Sequence, residues 1–179
     1  GREEGGGGKS GRVRGGGGSR PEPGGGGKRG EQLGDVRVRI WSAPQDTDGP
    51  GSPWIGDGRP TARTAWIDKG VVANLYYSQY WARKQGKFAT PFPTNMTMQG
   101  GSSTVEDMIK DTARGVLVTR FWYIRFVDPQ TMLLTGLTRD GTFFIENGKI
   151  KHAIKNFRFN ESPVIMLNNV DALGKPIRV

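Results

Sequence analysis

The sequence predicts a mainly β (α+β) fold: an antiparallel β-meander with two or three short helices packed against it. Three observations carry that prediction. The run "GVLVTRFWYIRFV" (115–127) is dominated by β-branched and aromatic residues, which favour pleated, packed surfaces. Asn147-Gly148 stands between two further β-rich runs, and Asn-Gly is the strongest short-range hairpin signal. Helix punctuation, by contrast, is clear at only two places, "SSTVEDMIKDTARG" (102–115) and "ESPVIMLNNVDALG" (161–174).

Taken in order, the elements read as follows. "DVRVRIW" (35–41) alternates, with Val36, Val38 and Ile40 on one face and Arg37, Arg39 and Trp41 on the other, a half-exposed strand. "SAPQDTDGPGSPWIGDGRP" (42–60) is a long irregular loop. "RTAWIDKGVVANLYY" (63–77) is strand, turn, strand, with Gly70 where the turn needs positive φ. "SQYWARKQGK" (78–87) is one short helix ending before Gly86, and "FATPFPTNMTMQGG" (88–101) is a loop or edge strand held extended by its prolines. In 102–115, Ser103 and Glu106 have capping-box spacing, Val105, Met108 and Ile109 mark an apolar face, and Gly115 fits a left-handed stop. The meander follows: 115–127, the Asp128-Pro129 turn, "TMLLTGLT", a turn at Arg139-Asp140-Gly141, "TFFIE", the Asn147-Gly148 turn, and "KIKHAIKNFRF". The last helix has Ser162 as N-cap, Pro163 in its first turn and Gly174 as its stop, with Val164, Leu167, Val170 and Leu173 as the buried stripe.

Residues 1–29 stand apart. The first 30 residues hold 15 of the 29 glycines, seven basic and three acidic side chains, and Val13 as their one aliphatic residue beyond glycine. Such a segment buries too little apolar surface to offset its ordering entropy, so 1–29 reads as a disordered, Gly-rich basic arm and 30–179 as the β-rich domain. The arm carries +4 of the net +9, leaving the domain a mild excess that weakens any inference to nucleic acid. There is no cysteine, which fits a reducing compartment, and no apolar run near the roughly 20 residues of a membrane helix. The start at Gly1 rather than Met points to a piece of a longer chain, one that would expose an apolar interface when isolated.

Most catalytic chemistries find no residues here. A zinc site needs Cys, His or carboxylate ligands in a cluster, and the chain has no cysteine and one histidine, His152, which strand alternation places with Ile150 and Ile154. No serine sits in a G-x-S-x-G elbow. Gly8-Lys9-Ser10 ends like a phosphate loop, but position 3 is Glu and neither a strand before nor a helix after it is present. Asp128, Asp140 and Glu146 fall at meander turns, where acids serve turn chemistry. No motif thus singles out a catalytic or metal-binding residue, and the turn acids are the one set left open for acid–base work.

"TRFWYIRFVDP" (119–129) mixes cations and aromatics as single-stranded nucleic-acid binders do. With strict alternation Arg120 and Arg125 fall on opposite faces and both faces are apolar, the pattern of a central strand covered on both sides, in which each arginine needs a carboxylate or carbonyl partner. The alternative function is a nucleic-acid-associated module using Arg14-Gly15-Gly16 in the arm and a basic strand face of Lys149, Lys151, Lys155 and Arg158; lysines guarding an edge strand explain that face equally.

The ordered segments "GSPWIGDGRPTARTAWIDKGVVANLYYSQYWARKQGK", "FPTNMTMQGGSSTVEDMIKDTARG" and "RGVLVTRFWYIRFVDPQTMLLTGLTRDGTFFIENGKIKHAIKNFRFNESPVIMLNNVDALGKP" resemble the C-terminal domain of the TldD/PmbA, or modulator-of-DNA-gyrase, family over about residues 30–179. The resemblance implies relation to cytoplasmic zinc metallopeptidases that degrade unfolded peptides as two-subunit assemblies. In their catalytic members zinc is held by two histidines of an H-E-x-x-x-H helix and a distant cysteine; none of these is in this chain, which is more similar to the PmbA (TldE) side without the zinc helix. The implied role is a partner or structural subunit, homo- or hetero-oligomeric, without zinc or other cofactor of its own, supporting proteolysis of unfolded peptide; nucleic acid and membrane are not implied as partners. Arg120, Trp122, Tyr123 and Arg125 are the residues that such a role would turn toward peptide or partner, whereas their two-sided apolar pattern favours core packing.

Overall fold

The computed structural model describes residues 28–177. The Gly-rich arm expected at 1–29 therefore lies outside the described residues, except for Lys28 and Arg29. The architecture is mainly β with short helices, as the sequence predicts: β1 (Ile40–Ser42), β2 (Thr64–Asp68), β3 (Val71–Val72), α1 (Gln79–Lys84), β4 (Met96–Met98), α2 (Val105–Asp111), β5 (Arg114–Asp128), β6 (Leu133–Glu146), β7 (Lys149–Ala153), β8 (Arg158–Glu161) and α3 (Pro163–Asn168). Two antiparallel four-stranded sheets result. The first runs β3-β2-β1-β4; in the second, β6 pairs with β5 on one side and with both β7 and β8 on the other.

The first sheet is built around a tight turn. Lys69 (φ 51°) and Gly70 (φ 76°) both take left-handed backbone between β2 and β3, the pattern of a two-residue hairpin. Its core holds Val38, Val72 and Trp66, whose indole N–H donates to the buried Ser42 hydroxyl at 2.8 Å. The strand expected over 35–41 is shorter and later than its alternation implied. The Asp35 carboxylate accepts the Arg37 backbone N–H at 2.9 Å and its guanidinium Nε–H at 2.6 Å, and the Val38 N–H turns back to the Asp35 carbonyl. This side-chain-to-backbone turn replaces the ladder, so Val36 points outward at 62% exposure while Val38 is fully buried. The C-terminal segment closes over the turn: Asp35 N–H donates to Leu167 O, and Arg37 donates to the Asp171 carbonyl.

Both helix punctuations shift in detail. The capping box of α2 is Thr104 with Asp107, one residue later than the Ser103–Glu106 pair, because Ser103 is held in a bridge with Gly174 and cannot serve as cap. The helix ends at Asp111 with Thr112 extended, so Gly115 is not its stop but a residue of β5. α3 starts as expected at Pro163 but ends at Asn168; Gly174 lies beyond it, packed against Met108 and Ser103. The expected stripe holds in outline, since Val164, Leu167, Val170 and Leu173 are half-buried while Ile165 and Met166 are exposed.

The second sheet departs most from the linear pattern. Arg139-Asp140-Gly141 is not a turn: β6 runs straight through it, and Asp140 (φ 65°) forms a bulge, so that β5 advances two residues from Val118 to Arg120 while β6 advances three from Thr142 to Arg139. The run "KIKHAIKNFRF" is not one strand but two, β7 and β8, which share the same flank of β6. Asn156, in the break between them, accepts from the Thr142 hydroxyl at 2.9 Å, and Thr138 accepts the Phe157 N–H at 3.0 Å. These bonds satisfy polar groups that the broken ladder leaves unpaired. Asn147 (φ 50°) and Gly148 (φ 72°) make the expected hairpin, and Asp128 ends β5 by accepting from the Thr131 hydroxyl and the Gln130 N–H, which hold its carboxyl below the usual carboxylate range.

β5 is an edge strand, not a covered central one. From Thr119 to Val127 every residue is exposed, with Phe126 at 63% and Tyr123 at 60%. A second bulge explains why alternation misled. Trp122 pairs with Leu137 and Arg125 with Thr135, so three steps on β5 oppose two on β6, with Tyr123 at φ 54°. Directly opposed residues in a ladder point to the same side. Arg120 (opposite Arg139), Trp122 and Arg125 therefore share one face, while Phe121 (opposite Thr138) and Phe126 (opposite Leu134) share the other. His152 is also displaced from Ile150: a bulge in β7 sets Ile150 opposite Ile145 and His152 opposite Phe144, on opposite faces.

Three outcomes follow for stability. A Cβ on Gly70 would lie 2.6 Å from the Asp35 carbonyl and closer still to that of Gly34, in left-handed backbone, so Gly70→Ala should cost about 1–3 kcal/mol in urea denaturation. Gly56→Ala, with open space at its Cβ, is the control expected to change little. The Arg37 guanidinium, then its backbone N–H, hold the Asp35 carboxyl at about 2 against an ordinary 3.8. A depressed carboxylate stabilises the fold fully above 3.8 and loses that contribution as pH falls through about 2. The gap in urea midpoint between the wild type and Asp35→Asn should therefore be full above 3.8 and close toward pH 2; a gap unchanged at low pH would count against this origin. At the β5 bulge, Tyr123→Val should lower stability by about 1 kcal/mol because a β-branched residue resists left-handed backbone. Tyr123→Gly should hold or raise the urea midpoint, and equal behaviour of the two variants would refute the strain.

Candidate functional site

The bulge assembles side chains that strict alternation keeps apart. On the face that carries Trp122, the Arg120 guanidinium carbon sits 4.7 Å and that of Arg139 4.8 Å from the ring centroid. Asp140, placed by its own bulge, receives Arg120 at 2.9 Å and lies 3.5 Å from Arg139. Arg125 lies 4.4 Å from the Tyr123 ring centroid and donates to the Ile124 carbonyl at 3.2 Å. Arg158, opposite Leu137, joins the same face and donates to the Thr135 hydroxyl at 3.1 Å. Cation–π contacts of this kind contribute about 0.5–1 kcal/mol at exposed sites, and here they orient long side chains over a surface that they leave open.

The four residues singled out from the sequence are thus brought together, though as an exposed edge rather than a core. Arg120 finds the carboxylate expected for it, and Arg125 a carbonyl; among the described residues neither Arg125 nor Arg158 makes a salt bridge. Arg139, Asp140 and Arg158 are the members that sequence reading missed. A usable signal existed for two of them: Asp-Gly inside a β run fits a bulge as well as a turn, because both need left-handed backbone.

The opposite face of the same sheet is packed by aromatics. Phe121 and Phe159 meet edge to face at 4.9 Å, and Phe159 lies over Gly136, whose absent side chain leaves the ring room. The outer edge of β5 has no partner strand among the described residues, so a row of backbone donors and acceptors up to 15 residues long faces outward.

Elsewhere the chemistry is sparse. His152 is exposed on β7, its ring 5.6 Å from that of Phe144. Among the described residues no three His, Asp or Glu side chains converge as metal ligands, so the residues present do not fit a zinc centre. Lys151 lies 3.7 Å from Glu146, as expected of a lysine on an edge strand. A recess of about 460 Å³ beside α1 is lined by Arg29, Asn74, Tyr77, Lys87 and Phe88, with no carboxylate or histidine. No helix among the described residues is long and apolar enough to cross a membrane.

Comparison with known proteins agrees with this architecture. Three solved structures share the fold: TldE from Thermococcus kodakarensis (TM-score 0.73, 20% identity, covering 83% of this chain and 36% of that one), a putative modulator of a DNA gyrase from Thermotoga maritima (0.71, 22%, 83% and 36%) and a putative modulator of DNA gyrase from Bacteroides thetaiotaomicron (0.72, 22%, 81% and 33%). The chain spans about a third of the length of these structures. No curated protein matches it significantly in sequence. The family model described as the PmbA/TldA metallopeptidase C-terminal domain matches residues 23–179, and the chain belongs to that family.

Proposed function

We propose that this chain is the C-terminal, peptide-supporting part of a TldD/PmbA-type metallopeptidase assembly, acting as a partner or structural subunit without a zinc site of its own. The observation that carries the reading is the outer edge of β5, a long row of backbone groups with no partner strand among the described residues, flanked by exposed aromatic side chains on a domain of this family. An extended, unfolded peptide satisfies such an edge by adding a strand: main-chain hydrogen bonds supply affinity for any sequence, and alternate side chains meet the sheet faces. The sequence has no cysteine and a single histidine, and no group of metal ligands converges among the described residues; both support a reading in which the hydrolytic step belongs to another subunit or another part of a longer chain. Exposed apolar residues beyond β5, such as Trp54, Tyr80, Trp81 and Phe88, supply surface for that association. A cytoplasmic location belongs to the same reading.

Two measurements test it together. Incubated alone with zinc and an unfolded peptide, the chain should hydrolyse nothing; mixed with a zinc-bearing TldD-type subunit, it should form a complex in which hydrolysis appears. Fluorescence anisotropy should detect binding of the unfolded peptide, and N-methylation of alternate peptide nitrogens should weaken that binding about tenfold or more by removing main-chain donors. Stoichiometric zinc with hydrolysis by the chain alone, or indifference to N-methylation, would overturn the proposal.

A further inference from the structure

We infer that the Trp122 face of the second sheet selects acidic segments among the extended peptides that add to the β5 edge; this rests on the reading above, that peptide pairs with that edge. The face carries Arg120, Arg125, Arg139 and Arg158 around Trp122, with Asp140 the one carboxylate among the described residues in salt-bridge range of any of them. Arg120 and Arg139 are already partnered through Asp140, and among the described residues Arg125 and Arg158 meet neutral acceptors only, Arg125 being the one on β5 itself. A guanidinium bound only to neutral groups gains most from an incoming carboxylate, by charge-assisted and often bidentate hydrogen bonds.

The spacing suits a strand. Arg120 and Arg125 stand opposite Arg139 and Thr135, four residues apart on β6, or about 13 Å along the sheet. Side chains of an added strand return to one face every second residue, about 7 Å apart, so acids at alternate positions reach both arginines. A second copy of this chain is disfavoured at the same edge, because two β5 strands would bring their arginines together in a thinly paired row. Single-stranded nucleic acid shares the negative charge, but two guanidiniums already lie over the Trp122 ring, and the unpaired backbone edge is a feature peptides use and nucleotides do not.

The test uses the full chain and labelled repeat peptides of about ten residues with Glu-Thr, Gln-Thr or Lys-Thr sequence, alongside an oligothymidylate of equal negative charge. Anisotropy at moderate salt should show the Glu-Thr peptide binding about tenfold tighter than the Gln-Thr peptide, with Lys-Thr weakest and the advantage shrinking as salt rises. Arg125→Gln, at an exposed position beside the open edge, should reduce Glu-Thr binding severalfold and reduce Gln-Thr binding less, so that the preference for Glu-Thr shrinks. Equal binding of the Glu-Thr and Gln-Thr peptides overturns the selectivity and leaves the edge-pairing reading intact. Binding of none of the peptides removes both. Tighter, Arg125-dependent binding of the oligothymidylate assigns the face to nucleic acid and overturns the inference; the peptide comparison on the unaltered chain decides this even if the variant fails to fold.

Discussion

β6 is the strand on which the second sheet depends. Its 14 residues are hydrogen-bonded along both flanks, to β5 on one side and to β7 and β8 in succession on the other. The most deeply buried positions of this sheet lie on it: Thr138, Thr142 and Ile145. Two of these are threonines, and their hydroxyls are spent on the break between β7 and β8, where Asn156 and the Phe157 N–H need partners. A polar pair in the middle of a strand is thereby what lets two short strands share one long neighbour. Gly136 adds the complementary device, a missing side chain that admits the Phe159 ring and, against it, Phe121.

The consequence for function is a matter of parity. A strand has period two, so one inserted residue exchanges the faces of everything beyond it. The Asp140 bulge in β6 and the Tyr123 bulge in β5 each make such an exchange: the first sets Arg139 opposite Arg120, and the second brings Arg125 to the side that Arg120 and Trp122 already share. Without the Tyr123 bulge, Arg125 would point to the Phe121 and Phe159 side, and the arginine face would be reduced to its upper half. The bulge therefore links a backbone conformation that tyrosine tolerates poorly to the composition of the candidate site.

How much of this is legible in sequence depends on the range of the interactions involved. The Lys69-Gly70 and Asn147-Gly148 hairpins, the Pro163 helix start and the short helix over 79–84 are local, fixed by backbone preferences within a few residues, and they read correctly. The Ser103–Glu106 cap failed by one residue because Gly174, 71 positions away, takes Ser103 into a bridge. Asp35–Trp41 failed because a carboxylate competes with the ladder for the Arg37 N–H, an interaction that hydrophobic alternation does not encode. The 115–127 run was recognisable as a strand but not as an edge, since an apolar pattern on both faces states only that something covers it. Family membership rests on ordered segments spread along the chain and was legible throughout.

That last ambiguity bears on why such an edge exists. A long exposed strand with apolar side chains is an aggregation hazard, and proteins protect these edges with charges, bulges and short lengths. β5 has the first two: arginines at 120 and 125 and left-handed backbone at Tyr123. Neither device closes the edge. The bulge interrupts pairing at one point and leaves Arg114–Trp122 regular apart from the step opposite Asp140, and the arginines repel only strands that carry positive charge at the matching positions. Protection of this kind is selective by its chemistry. It opposes a copy of the same strand, which meets arginine with arginine, and it admits a strand of opposite charge, so the features that keep the edge from self-pairing are also those that define which strand it can accept.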